Sequence, residues 1–306
     1  MEVRYRARGG GAGVKIEYDE RGRINRQMWI GINGKPTLNE YGIAELRVEH
    51  DGLGNDTRES FFGVDGKPTM NRDGFAERRT EYDGRGNTTR VAHFGVDGKP
   101  TMNKDGLFEV RKEYDSRGNL KKEAYFGIDG KLVVLKEGFA GLCHEYDEHG
   151  NETGRSYFGL DGKLVLSKNG FAKIRVEYDA RSNAVKESYF GVDGMPILCA
   201  NGYAERCMEY DARGNLTKMS CFDVSGRLTI CEDGYAKCCK EYDGRGNVTK
   251  MSCFGVDGKP VTHKAGFAEV RFEFDRRWNL VSVSRFDVNG KLIAPDDKPA
   301  DGKARQ

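Results

Sequence analysis

Residues Glu81–Gly106 read E-Y-D-G-R-G-N-T-T-R-V-A-H-F-G-V-D-G-K-P-T-M-N-K-D-G. Three glycine-closed segments punctuate this stretch: Asp83-Gly84-Arg85-Gly86-Asn87, Gly95-Val96-Asp97-Gly98 and Asn103-Lys104-Asp105-Gly106. Each reads as a type I turn closed by a left-handed glycine. Between the turns the residues alternate, as on the two faces of an antiparallel sheet. If Asp83 opposes Asn87, then Tyr82 opposes Thr88 and Ala76 opposes Phe94. Ala76, Tyr82, Ala92, Phe94 and Val96 then share a buried face, and Arg79, Glu81 and His93 share a polar one.

The stretch recurs along the chain. E-Y-D or a near variant begins at Glu17, Glu49, Glu81, Glu113, Glu145, Glu177, Glu209, Glu241 and Glu273, every 32 residues without insertion or deletion. Position 0 of each repeat is taken as the glycine of the third turn, such as Gly74 and Gly106. Positions 0, 12, 21 and 24 then hold 32 of the 41 glycines, so glycine use follows a need for left-handed backbone or close approach. Fixed length from copy to copy means that each repeat stacks on its neighbours in one geometry. The reading is all-β: tandem antiparallel hairpins or a meander forming an elongated, coiled β-ribbon or solenoid. Each repeat has two strands of about eight residues and a short third (Phe139–Tyr146, Asn151–Phe158 and Lys163–Ser167 in one copy). Whether that third strand pairs in the sheet or bridges between hairpins stays open. So does an open ribbon against a closed ring. Residues 1–292 form one nine-repeat array with a partial first copy, and 293–306 a disordered tail rich in charge.

Composition narrows the function. The chain has 306 residues, 50 Lys+Arg against 48 Asp+Glu, and a net charge of +2. That balance gives no global field for nucleic acid or a membrane surface. Mean hydropathy is −0.70, and no run approaches the roughly 18 apolar residues of a spanning helix. Neither nucleic acid nor membrane is expected as a partner.

The Y-D-x-x-G-N element, here Tyr82-Asp83-Gly84-Arg85-Gly86-Asn87, resembles the YD repeat of bacterial RHS-type proteins. The run Phe94-Gly95-Val96-Asp97-Gly98-Lys99-Pro100 through Gly106 resembles, more weakly, the WG (KWG) repeat. The period is longer than the YD unit, and the Trp-Gly pair is absent. The resemblance implies a repeat scaffold for binding or encapsulation and brings no catalytic residue.

Candidate chemistry is weak. Asp at position 9, as in Asp83, and at position 23, as in Asp97, could line a Ca²⁺ ladder but reads as turn capping. The five histidines fall at five different repeat positions, so they build no catalytic set. All eight cysteines lie after residue 140. Cys221/Cys253 and Cys199/Cys231 share repeat positions and could stack, and the set reads as reduced thiols. No cofactor, metal or enzymatic activity is expected. Asp83, Gly86, Asn87, Asp97, Gly98 and Gly106 are structural turn residues.

At position 19 stand Trp29, Phe61, Tyr125, Tyr157 and Tyr189, on the face read as polar. Exposed there, they would form a stripe for a partner; sheet coiling could instead bury them as a second layer. The leading function is a non-catalytic scaffold for protein–protein interaction. The alternatives are a secreted adhesin, a carbohydrate-binding or RHS-like encapsulating shell using the same stripe, and a filament that self-associates through open strand edges. The lack of a signal-peptide pattern and the reduced thiols favour the cytoplasm. Met1 falls inside a repeat, which leaves a fragment of a longer, extracellular chain open.

Overall fold

Each repeat folds into a hairpin because its glycines sit where the backbone must turn left-handed. A computed structural model describes residues 13–293. Among these, every glycine at positions 0, 12 and 24 has positive φ; Gly86, Gly98 and Gly106 stand at +83°, +73° and +79°. In the first turn the Gly86 N–H donates to Asp83 O (3.0 Å) and the Asp83 N–H to Asn87 O (2.9 Å). Position 12 is Ser182 in one repeat and Trp278 in another, and both keep the left-handed conformation, at +62° and +70°.

The described residues contain nineteen strands and no helix. They fall into two compact units. The N-terminal unit runs to Tyr146 and includes Arg155–Ser167. It holds β1 (Gly13–Tyr18), β2 (Ile24–Ile30), β3 (Glu45–His50), β4 (Asp56–Phe62), β5 (Glu77–Tyr82), β6 (Thr88–Phe94), β7 (Glu109–Tyr114), β8 (Leu120–Phe126), β9 (Gly141–Tyr146) and most of β10 (Glu152–Phe158). The C-terminal unit comprises Asp147–Gly154 and the chain from Lys168. It holds β11 (Lys173–Tyr178), β12 (Ala184–Phe190), β13 (Glu205–Tyr210), β14 (Leu216–Phe222), β15 (Lys237–Tyr242), β16 (Val248–Phe254), β17 (Glu269–Phe274), β18 (Leu280–Phe286) and β19 (Leu292–Ile293). Within each unit consecutive strands pair as a meander, for example β5 with β6 and β6 with β7.

The register departs from the simple alternation. Tyr82 does oppose Thr88, but Glu81 then opposes Arg90, so Thr89 is an extra residue in a β-bulge. Every hairpin whose register is described carries the same shift, as at Tyr18, Tyr178 and Tyr242. One extra residue reverses the faces. Phe94 therefore stands opposite Glu77, not Ala76 alone, and Arg78 opposite His93. The Ala76 N–H still donates to Phe94 O at 2.8 Å.

The short third strand pairs back onto its own hairpin. In eight repeats it is a single bridge, such as Phe94↔Pro100 and Phe158↔Leu164. In the last it becomes β19, where Leu292 opposes Phe286 and Ile293 opposes Arg285. Ile293 thus belongs to the sheet rather than to the expected tail. The rest of that tail, and the start of the partial first repeat, lie outside the described residues.

The bulge places a hydrophobic column on one face. Rings from positions 1 and 19 alternate: Phe61, Phe75 and His93 follow at centroid spacings of 5.7 and 4.3 Å, and Tyr125, Phe139 and Tyr157 at 6.1 and 4.8 Å. In the C-terminal unit Phe171, Tyr189 and Tyr203 follow at 4.8 and 5.7 Å. On the opposite face, Ala92, Phe94 and Phe108 form a second buried cluster with Met102 against it.

Candidate interaction surface

The aromatic stripe read from the sequence lies inside the molecule. Phe61, Tyr125, Tyr157 and Tyr189 are buried, and Trp29 is half-buried against the cluster of Ile43, Phe61 and Phe75. The cause is the bulge, which turns position 19 onto the face where the position 1 rings pack. The Tyr125 and Tyr189 hydroxyls donate to Glu123 and Glu187, two residues earlier on the same strand. Burial and those carboxylates push both phenols well above their ordinary pKa. These residues hold the fold together and offer no stripe to a partner.

The turn residues are tightly bonded. Asp83 Oδ1 accepts from the backbone N–H of Arg85 and of Asn87, each at 2.9 Å, and Oδ2 accepts from Asn87 Nδ2 at 2.9 Å. The Asn87 amide, followed by the backbone bonds, holds the Asp83 carboxyl below its usual pKa. Asp97 accepts from the Lys99 N–H at 3.1 Å. In the third turn Asn103 Oδ1 accepts from Asp105 and Leu107. Where position 21 is aspartate, the second-turn cap moves: Asp223 accepts from Ser225 and Arg227, and Asp287 from Asn289 and Lys291. The two changes, Asp in for Gly and Asp out two residues later, conserve one cap.

On the face opposite the ring column, charge is built into the core. Glu109 is 2% exposed. Its carboxylate accepts from Arg90 on β6 and from Arg111 on its own strand. The Arg111 guanidinium covers the Phe126 ring at 4.1 Å. Glu77 with Arg58 and Arg79, and Glu45 with Arg26 and Arg47, repeat the arrangement. Arg79 over Phe94 and Arg47 over Phe62, both at 3.9 Å, complete it. Burial pushes the Glu109 carboxyl up, but the bonds from Arg90 and Arg111 outweigh it and hold the pKa below its usual value.

The cysteines that meet are not the same-position pairs. Cys238 on β15 stands directly opposite Cys253 on β16. Cys221 shares a thiol hydrogen bond with Cys231, which lowers the Cys231 pKa to about 6. All eight cysteines are free.

What the molecule does expose is an aliphatic side chain at the tip of every second turn. Ile32 (96% exposed), Val64, Val96, Ile128 and Leu160 mark one unit; Val192, Val224, Val256 and Val288 mark the other. Leu38, Met70, Val134 and Leu166, at position 28 of the N-terminal unit, are exposed as well. Alternation predicts position 22 on the buried face, but Val96 sits between Gly95 and Asp97, inside the turn, where strand parity no longer applies.

No protein-family model matches the chain, and no curated protein does. Solved structures give distant likenesses. The Tc holotoxin pore of Photorhabdus luminescens with a mutation in TccC3 is 13% identical, over 90% of this chain and 13% of that chain, with a TM-score of 0.44. TcdB2-TccC3 without its hypervariable C-terminal region is 14% identical over 92% of this chain and 13% of that one, with a TM-score of 0.47. TcdB2-TccC3 itself is 12% identical over 93% and 17%, with a TM-score of 0.32. This chain spans under a fifth of each of those chains, and at such identities no residue role passes from them to it.

Proposed function

We propose that the chain is a non-catalytic β-repeat scaffold whose second-turn edge binds other proteins. One observation carries the reading: a branched aliphatic side chain stands in solvent at the same turn position in all nine repeats. The turn itself does not need it, since Gly98 supplies the left-handed conformation and Asp97 the cap. Burying such a side chain against a partner contributes roughly 1.5–3 kcal/mol, and Asp97 and Lys99 beside it provide a polar rim. The ionisable groups favour a structural role, because Glu45, Glu77 and Glu109 are bound into the same arginine pairs from repeat to repeat. Glycan recognition would draw on exposed rings, and the stripe of rings is internal.

A photo-crosslinking amino acid placed at Val96, Ile128 or Leu160 tests the reading in the native host. The expected result is a discrete protein adduct from these sites and none from Arg117, at the tip of a first turn. Equal labelling at Arg117, or no protein adduct at any tip, defeats it. An adduct with the mass of a second copy would replace it by the self-assembling filament.

A further inference from the structure

In one repeat of the N-terminal unit glycine and cysteine replace the Glu–Arg pair, and a cavity opens where that pair would lie. In the repeat that begins at Gly138, position 3 is Gly141 and position 5 is Cys143. The Glu and Arg that occupy these places in the preceding repeat are Glu109 and Arg111, which fill the face over Phe126. Here Lys122, Phe126, Leu132, Gly141, Cys143 and Phe158 line a cavity of about 350 Å³ within the N-terminal unit. That volume lies at the small end of the range for ligand pockets, about 300–1,000 Å³.

The cavity is built, not loosely packed. A Cβ at Gly141 would come within 2.7 Å of the Glu123 carbonyl oxygen, so the backbones approach closely enough to admit only glycine. The Glu123 carboxylate is held elsewhere, by the Tyr125 hydroxyl and by Lys112 at 3.4 Å. Burial pushes the Cys143 thiol pKa up, so that wall stays neutral. Lys122 is the one cation of the lining. Its counterparts at position 16 reach the glutamate of the following repeat: Arg90 bonds Glu109, and Lys186 bonds Glu205 at 2.9 Å. For Lys122 that place is Gly141, and its ion pair is with Glu113 at 3.8 Å.

We propose that this cavity binds a small hydrophobic carboxylate, of the medium-chain or arylalkyl class. The carboxylate takes the place of the missing position 3 glutamate at the Lys122 ammonium. The apolar body lies on Phe126, Leu132 and Phe158. The inference does not rest on the turn-edge reading, which concerns the exposed side chains at the turn tips.

The test uses octanoate as the probe, with octan-1-ol as its uncharged counterpart, followed by amide NMR shifts and titration calorimetry on the full chain. Octanoate is expected to bind at one site, shifting residues 122–143, and at least tenfold more tightly than octan-1-ol. Lys122→Gln is expected to weaken octanoate at least tenfold while leaving octan-1-ol unchanged. Cys143→Arg restores the side chain found in other repeats, and is expected to fill the cavity and abolish both. Melting curves check that each variant folds. Alkylation of Cys143 by iodoacetamide, read by mass spectrometry in the unsubstituted protein, is expected to slow when octanoate is present. The proposal is overturned if octanoate causes no shifts at residues 122–143, if octan-1-ol binds as tightly, or if a folded Cys143→Arg variant binds octanoate as before.

Discussion

The two units share one backbone and differ in what fills it. In the N-terminal unit Glu77 opposes Phe94 and Arg78 opposes His93; in the C-terminal unit Lys237 opposes Phe254 and Cys238 opposes Cys253, in the same register with the same bulge. Gly86 and Gly246 turn at +83° and +92°. Phe61, Tyr125 and Tyr157 occupy the place that Cys221 and Cys253 occupy later, and the buried Glu45, Glu77 and Glu109 give way to Lys173 and Lys237. Rings, thiols, buried ion pairs and lysines are thus interchangeable fillings. The turns and the ladder specify the hairpin, and the side chains between them only have to occupy the space.

The sharpest break in that equivalence is expected at the buried glutamates. Glu109→Ala removes the carboxylate from between two guanidiniums. Leaving a buried charge unpaired costs about 3–5 kcal/mol, and because Arg90 and Arg111 reach solvent the expected loss is about 2–3 kcal/mol. Glu205, whose side chain and that of its partner Lys186 are about a third exposed, is expected to cost under about 1 kcal/mol on replacement by alanine. Urea unfolding combined with amide exchange reads the hairpins separately; equal losses at the two sites would erase the distinction between the units.

Acid sharpens the same contrast. Desolvation raises the carboxyls of Glu45, Glu77 and Glu109, but hydrogen bonds from their arginines win, and all three sit below the ordinary value of 4.5. A folded pKa below the unfolded one means fewer protons bound when folded. The stabilisation is therefore complete above about pH 4.5 and is lost as the pH falls through the depressed folded value. The first-turn aspartates, lowered from 3.8 in both units, add an equal background, as at Asp83 and Asp211. Amide protection factors, taken against the intrinsic exchange rate at each pH, are expected to fall on acidification more in β3, β5 and β7 than in β11 and β15, where position 3 is lysine. A parallel fall would show that the buried pairs do not set acid stability.

Glycines separate by what surrounds them. Gly234→Ala would hold a left-handed φ of +91° and set its Cβ 2.8 Å from the Thr262 carbonyl oxygen. The expected cost is about 2–3 kcal/mol, from left-handed strain plus the clash. Gly106→Ala, at φ +79° with nothing within 4 Å of its Cβ, is expected to cost about 1 kcal/mol. Thermal melts of the two variants distinguish turns that are stacked from turns that are free.

The sequence showed the hairpins and their turns because glycine position is a direct imprint of left-handed backbone, and fixed spacing excludes loops of varying length. It did not show the faces. A single bulged residue, Thr89, carries no side-chain signature, yet it exchanges the inner and outer sets of a strand. Strict alternation without that residue sets Tyr125, Tyr157 and Tyr189 on the polar face, where only sheet coiling would bury them. Phe75 and Phe139 at position 1 held the missing information: rings there need partners, and position 19 supplies them. The cavity at Gly141 is not legible in the sequence; only the packing of Glu109, Arg111 and Phe126 says what is missing there.

The smallest expected effect sits in the C-terminal unit, at the two turns that keep a left-handed residue without glycine. Ser182, at φ +62°, bears strain that its neighbours avoid, and its Oγ lies 3.1 Å from Asn151 Nδ2. Ser182→Gly is expected to stabilise by about 1 kcal/mol, since relief of the left-handed strain exceeds one exposed hydrogen bond. Trp278, at φ +70°, differs because the Arg245 guanidinium lies 3.4 Å from its ring centroid. An exposed contact of that kind contributes about 0.5–1 kcal/mol, so Trp278→Gly is expected to change stability by less than about 0.5 kcal/mol. The described first turns of the N-terminal unit are closed by glycine already, as at Gly22 and Gly118. If Ser182→Gly leaves the melting temperature unchanged, strain at position 12 is not what selects glycine there, and close approach between stacked turns, such as Asn55 Oδ1 at 3.6 Å from a Cβ on Gly86, takes its place as the cause.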